Sequence, residues 1–393
     1  MSEFQASNFK KENGGTPDLL GKTELTSPYF FVPPSGDTAS RPQSCSPGTI
    51  RFNTDIGTLE VFRGDTIGWE QIQRADNQYL GGGGNSADGT GTRGLIMGGN
   101  GSPDSTREEI EYLTIETLGN SKDFGDLTYG AQGAHSGLGN RVSAFYAGGS
   151  QIPAAQNHIN KIVVSSTGNA TDYGDLANNR ASGGGVSNNT RAIIGGGNIN
   201  SPVTNVIEFF GMSQSSNAID FGDLVTARES VTASINSTTR GLFFGGGDPS
   251  TNQIDFITMS TTGNASDFGD CIQDVSSSAG GGNSTRGLMG GGTGPAPRTN
   301  VIQFVTIAST GNAIDFGDLT VIRQALTGMS SPTRSLFVGG AITPNPIYNI
   351  IDFVEIATTG NATDFGDISG EDNGGSGNIQ NSNSVSNNHG GLL

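Results

Sequence analysis

Residues 301–319 read VIQFVTIASTGNAIDFGDL: a run of β-formers, a Ser-Thr-Gly-Asn turn, and an aromatic held inside Asp-Phe-Gly-Asp. The DFGD or DYGD motif recurs, centred on Phe124, Tyr173, Phe221, Phe268, Phe316 and Phe365, at spacings of 47 to 49 residues. Self-similarity at a fixed period of about 20 to 50 residues marks a solenoid or a propeller. A second landmark keeps the same period: an Arg opening a short apolar run that ends in paired Gly, at Arg93, Arg141, Arg191, Arg240, Arg286 and Arg334.

Working outward from the motif, one unit from Arg323 to Ile368 holds a weak first strand near Ala325, a stronger one in RSLFVGG, a third in IIDFVEI and a short fourth in DFGDI. VIEFF from Val206 and IDFITM from Ile254 repeat the third strand. Such runs are too short for stable helices and are broken by Gly, Asn and Ser, so the chain is expected to be all-β. Six four-stranded units of about 48 residues have the size of propeller blades. A single blade cannot bury both faces, and packing blades around an axis solves that.

The order of these landmarks, with GG closing an apolar second strand, an aromatic ahead of the fourth, and an Arg beyond it, resembles the kelch repeat. The resemblance covers residues 74–368 and implies a kelch-like β-propeller used as a binding or structural module. Phe or Tyr stands in place of the usual kelch Trp, and the Arg after the fourth strand occurs only at Arg180, Arg228 and Arg323. Both ends carry what reads as a further blade. VSNNHGGLL from Val385 aligns with VSNNTRAII from Val186, while TLEVF from Thr58 and GWEQIQR from Gly68 supply a third strand, Trp69 in the aromatic position, and Arg74. Joined, they would make seven blades; the alternative is six blades, a meander over 49–73 and a Gly/Asn/Ser-rich tail over 369–393.

Residues 1–48 share no period with the rest, and Pro33, Pro34, Pro42 and Pro47 favour an extended arm. Its SPYFFVPP, from Ser27, groups three aromatics in polar surroundings, as a docking element or a segment packed on the propeller would. The following GTIRFNTDIGTLEVFRGDTIGWEQI resembles the β-hairpin segment of bacteriophage tail-fibre and other virion proteins. With the Gly- and Asn-rich repeats it is similar to virion structural proteins of cyanobacterial phages. That resemblance implies a virion protein made in the host cytoplasm, oligomeric in the particle. Its partners would be other virion proteins through residues 1–48, and a host-surface glycan or protein. The rival functions are a carbohydrate-active propeller enzyme and an intracellular kelch-like adaptor.

Composition bears on what remains. With 63 Gly in 393 residues, turns must be frequent, and a net charge of -17 repels nucleic acid and anionic membranes. No stretch of about 18 apolar residues could span a bilayer, and no secretory signal is visible, so a soluble cytoplasmic product is expected. Cys45 and Cys271 suggest neither a disulfide framework nor a zinc site. His135, His158 and His389 lie in unrelated contexts with no nucleophile beside them, so no catalytic, cofactor-binding or metal residue is assigned. The Gly run from Gly81 lacks the Lys and helix start of a phosphate loop. Asp pairs such as Asp267 with Asp270 and Asp315 with Asp318 offer oxygen donors to calcium, but Asx-turns or pairing with a neighbouring repeat's Arg are favoured. The sequons at Asn169, Asn236, Asn264 and Asn361 read as turn residues.

Overall fold

The computed structural model describes residues 33–42, 45–55, 58–66, 68–71, 92–101, 106–130, 132–133, 137–151, 154–199, 202–294, 298–342, 346–370 and 377–392. The chain divides into two compact units, Met1–Tyr79 and Leu80–Leu393. SPYFFV of the arm, Arg74, the Gly81 run and His135 lie outside the described residues.

The second unit is all-β and β-propeller-like; its described residues form a two-stranded sheet and six antiparallel sheets that follow the repeats, numbered one to six in chain order, five of four strands and the second of three. Sheet five is representative: Ala279–Gly282, Arg286–Gly290, Val301–Thr306 and Ile314–Asp318 pair in chain order. Four strands per repeat are what the periodicity predicts. Burial explains the composition of each. The second strand, RGLMG, is buried on both faces after its Arg, as in a sheet covered on both sides. The first, AGGG, is wholly buried although it has almost no side chains.

The DFGD motif is a bulge signature. Register slips between Ile302 and Gln303 opposite Gly317, and the same slip recurs in all six sheets. Gly317 has φ +151°, and a Cβ there would lie 2.3 Å from the Gly360 carbonyl oxygen of the following repeat. Only Gly meets both demands.

The hydrophobic core is divided into clusters lying between consecutive sheets. Phe316 and Leu288 of sheet five meet Phe337 and Val354 of sheet six, and Phe221 and Ile193 of sheet three meet Phe243 and Ile257 of sheet four. A further cluster unites the ends of the repeat series: Leu336, Val338, Ile351 and Phe365 of the last sheet pack with Ile96, Leu113 and Ile115 of the first.

The pairing of the chain ends corrects the expected partner of the C-terminal strand. Asn383–Ser386 pairs antiparallel with Arg93–Met97, Val385 opposite Leu95, and completes the sheet of Glu109–Thr114 and Lys122–Asp126. Val385 thus occupies the first-strand place that its likeness to Val186 indicates, but its partner is not 58–74. Those residues belong to the first unit, where Ser35–Gly36, Ile50–Asn53, Thr58–Phe62 and Trp69–Gln71 form one sheet, the first two strands parallel. Trp69 packs on Phe62 with ring centroids 5.5 Å apart and donates to the Pro42 carbonyl at 3.1 Å. The buried side of this small sheet is ionic. Glu60 takes a 2.6 Å ion pair from Arg41 and hydrogen bonds from Asn53, and the Arg41 contact holds its carboxyl below the usual range. The segment differs from a repeat sheet on its other face: Leu59 is 38% exposed where the repeats bury Ile207 and Ile302 completely.

Candidate functional site

The two landmarks are structural. Arg93, Arg191, Arg240, Arg286 and Arg334 lie 4.7–5.0 Å over the third-strand aromatics Tyr112, Phe209, Phe256, Phe304 and Phe353. Each ring meets the buried motif aromatic edge-on at 5.7–5.9 Å. Each Arg Nη1 then donates at 2.7–3.2 Å to a carbonyl of the next repeat, and Arg334 of the last sheet reaches Ile115 of the first. The second repeat departs: Lys161 replaces the aromatic, and Arg141 donates to the Leu392 carbonyl.

The polar residue inside each third strand accounts for itself in the same way. Glu111, Asn160, Glu208, Asp255, Gln303 and Asp352 each accept a backbone N–H from the preceding repeat, at Ser369, Thr128, Ala177, Val225, Ile272 and Thr320. Where that residue is followed in space by Arg180, Arg228 or Arg323, it is an acid and forms a buried ion pair, 3.0 Å for Arg228–Asp255 and 2.9 Å for Arg323–Asp352. Where the equivalent of the Arg is Ala131 or Val275, the acid becomes Asn160 or Gln303. Glu111 is the exception: an acid with Ile379 at the place of the Arg, it accepts instead from the Ser121 hydroxyl and the Ser369 and Gly370 N–H groups. In the ion pairs burial opposes both partners, pushing the Asp255 carboxyl up and pulling Arg323 down.

The Gly-Asn turns clasp neighbouring repeats at the outer strands. Asn169, Asn217, Asn264, Asn312, Asn361 and Asn120 accept, through Oδ1 at 3.0–3.2 Å, the backbone N–H of Asp126, Asp175, Asp223, Asp270, Asp318 and Asp367. The sequon residues Asn169, Asn264 and Asn361 are therefore inter-repeat contacts, and Asn236 lies buried in a first strand. What reaches the second Asp of each motif from the following repeat is this Asn side chain, on the Asp backbone N–H. Among the described residues, no three His, Cys, Asp or Glu side chains converge as metal ligands.

At the first strands the repeats meet most closely, and two features concentrate there. Between the fourth strand of one sheet and the first of the next stands a residue of left-handed backbone: Gly133, Ser182, Ser230, Ser277, Ala325 or Asn381, with φ from +52° to +63°. Each donates its N–H to the carbonyl of its counterpart one repeat back, at 2.6–3.2 Å, and Gly133 donates to Asn381. The six bonds form a cycle. They rim a cavity of about 80 Å3 lined by Gly, Ser, Thr, Ala, Asn, Val and Leu, with no charged side chain. The connections between second and third strands leave the sheets next to these residues, as the bridges Ala181 to Asn198 and Gln324 to Ala341 require. Each of those connections carries Pro, at Pro103, Pro153, Pro202, Pro249, Pro295 and Pro344.

The second feature is the C-terminal turn Gly390–Leu392. Gly391 approaches Ser187 and Asn236, and Gly390 approaches Asn283, all residues at the ends of first strands. His389 is fully buried beside them. Its Nδ1 accepts from the Gly391 N–H at 3.2 Å, which leaves the ring proton on Nε2, 3.1 Å from the Gly139 carbonyl. Burial holds its pKa down at about 4. His158 lies elsewhere, exposed and 3.3 Å from Asp175. The structure does not bring these two histidines together. Cys271 is buried in the core between sheets four and five, where burial raises its thiol to about 12.

The chain matches no protein family and no curated protein.

Proposed function

We propose that the chain is a closed six-bladed β-propeller of kelch-like grammar, its first blade completed by Asn383–Ser386, that serves as a structural binding module of a bacteriophage virion. The cycles of six hydrogen bonds carry the architectural part of the reading. A set of identical contacts that returns from the last repeat to the first is what a ring requires, and an open array would leave one contact unmade. In this reading the described ends of the second-to-third connections stand at one end of the ring, around the cavity. A rigid scaffold displaying variable loops at one end suits recognition of a host-surface glycan or a neighbouring subunit.

The virion assignment is supported by the first unit. The segment that resembles virion hairpins, 48–72, supplies three of the four strands of this unit. An attachment unit separate from a display unit is the organisation such a protein needs, with residues 1–48 leading to the particle. Mass spectrometry of purified particles tests the assignment: the chain should appear in stoichiometric amount. Its absence from particles, or turnover of a glycan by the pure protein, would replace the reading with the adaptor or the enzyme.

A further inference from the structure

Residues 387–392 follow the strand that completes the first sheet, and they touch all six repeats. In the first, Asn387 Oδ1 accepts the Arg93 N–H at 2.9 Å and Asn388 donates to the Thr92 hydroxyl at 3.4 Å. Arg141 of the second donates to the Leu392 carbonyl. Gly391 lies so close to Ser187 of the third and Asn236 of the fourth that no Cβ would fit, and Gly390 stands the same way against Asn236 and against Asn283 of the fifth. His389 shares a small cavity with Met329 and Ser330 of the sixth. One short turn thus ties the ends of the first strands together.

His389 takes part in most of the bonds that hold this turn. Its carbonyl accepts the Leu392 N–H at 3.0 Å, its Nδ1 accepts the Gly391 N–H at 3.2 Å, and its Nε2 lies 3.1 Å from the Gly139 carbonyl. A ring that accepts at one nitrogen and donates at the other must be neutral. A proton on Nδ1 would set N–H against N–H and break the bond to Gly391. The side chains around the ring, Ser187, Asn236, Met329, Ser330, Val385 and Ser386, are uncharged and cannot balance an imidazolium. The charged groups in the contacts of this segment are the Arg141 guanidinium, which has the wrong sign, and Glu116, which is engaged by the Thr92 N–H. Burial accordingly holds the ring near 4, against about 6.5 when free, so docking is complete above about pH 6.5 and weakens as the pH falls towards 4. Releasing so short a segment costs less than opening a sheet, because Asn383–Ser386 keeps its ladder to Arg93–Met97 and Val385 keeps its place in the core.

We propose that residues 387–392 are an acid-released bolt: protonation of His389 frees the turn from the ends of the first strands while Asn383–Ser386 stays paired and the six sheets stay folded. Release uncovers the polar groups that the turn hides, at Ser187, Asn236 and Asn283, and unties the repeats at that end. The inference rests on the contacts of the turn and holds whether or not the chain belongs to a particle.

Hydrogen exchange of the full chain tests it, read by mass spectrometry at about pH 7 and about pH 4.5 and normalised to the free-peptide rate at each pH. Protection of 387–392 should fall at least about tenfold at the lower pH and return at the higher, while that of 327–330 and 383–386 changes by less than about threefold. His389→Gln can accept and donate as the neutral ring does and carries no charge at either pH, so its protection should be the same at both. Should that variant not fold, NMR of the His389 ring in the parent makes the comparison, since its titration and the loss of protection should share one midpoint. Unchanged protection of 387–392 in acid, a parallel loss in 327–330, an equal loss in the Gln variant, or midpoints more than about one pH unit apart would overturn the proposal.

Discussion

Gly317 shows how much a single residue decides. Its positive φ and the 2.3 Å approach of a Cβ to the Gly360 carbonyl leave no room for Ala, whereas Gly211, at the end of a third strand, has nothing within 4 Å of the same atom. Gly317→Ala should therefore cost about 2–4 kcal/mol in urea unfolding, and Gly211→Ala should be neutral or stabilising by up to about 1 kcal/mol. Equal effects would mean the bulge is not where the register puts it. His389 gives a second residue-scale expectation. Its folded pKa, about 4, lies below the unfolded value near about 6.5, so its neutral form is the one the fold holds. The stability it contributes is complete above about pH 6.5 and is lost as the pH falls towards 4, on the order of 3 kcal/mol in all. His389→Gln should flatten that part of the pH–stability curve relative to the parent; parallel curves would place the ring in solvent. The period exposed both the Gly and the aromatic of DFGD. The left-handed Ser182, Ser230, Ser277 and Ala325 were not legible, because Ser and Ala rarely hold that backbone unless tertiary contacts impose it, and the cycle of hydrogen bonds does.

At the scale of the element, the contacts that matter cross from one sheet to the next, as Arg323 and Asp352 do, 29 residues apart, and a linear reading misses them. The apolar run IIDFVEI announced a strand, but not that Asp352 faces inward to Arg323 across the sheet boundary. Arg323→Val alone should destabilise by about 3–5 kcal/mol, because it leaves a buried carboxylate unpaired. Adding Asp352→Gln copies the neutral pair that Val275 and Gln303 make in the neighbouring repeat, and should restore most of the loss. A double variant no better than the single one would show that the charges act independently. Phe316→Ala opens a cavity between sheets five and six and should cost about 3–5 kcal/mol. An unchanged melting temperature would mean that this ring is not core. First strands were the hardest elements to see: AGGG and NSVS have no hydrophobic alternation, because close approach of neighbouring backbones, not side-chain volume, buries them. Gly328 illustrates the reason, since a Cβ there would meet the Gly280 carbonyl at 2.4 Å.

For the whole molecule, the account turns on where the chain ends meet. The sequence carried the identity of Val385–Ser386 as a first strand, through its likeness to Val186, yet it named the wrong partner. Trp69 and the TLEVF run imitate a third and fourth strand, down to a buried acid at Glu60, and the exposed outer face of Ile50 and Leu59 separates them from the repeats. A closed ring makes its last strand as hard to open as its interior ones, because opening it breaks a ladder and exposes a shared core at once. Native-state amide hydrogen exchange compares the two strands directly. Asn383–Ser386 should exchange at rates within about tenfold of Thr327–Ser330, the first strand of the neighbouring sheet, since both report the same global opening. Exchange of 383–386 at the rate of free peptide, with 327–330 still protected, would contradict the proposed closed six-bladed ring.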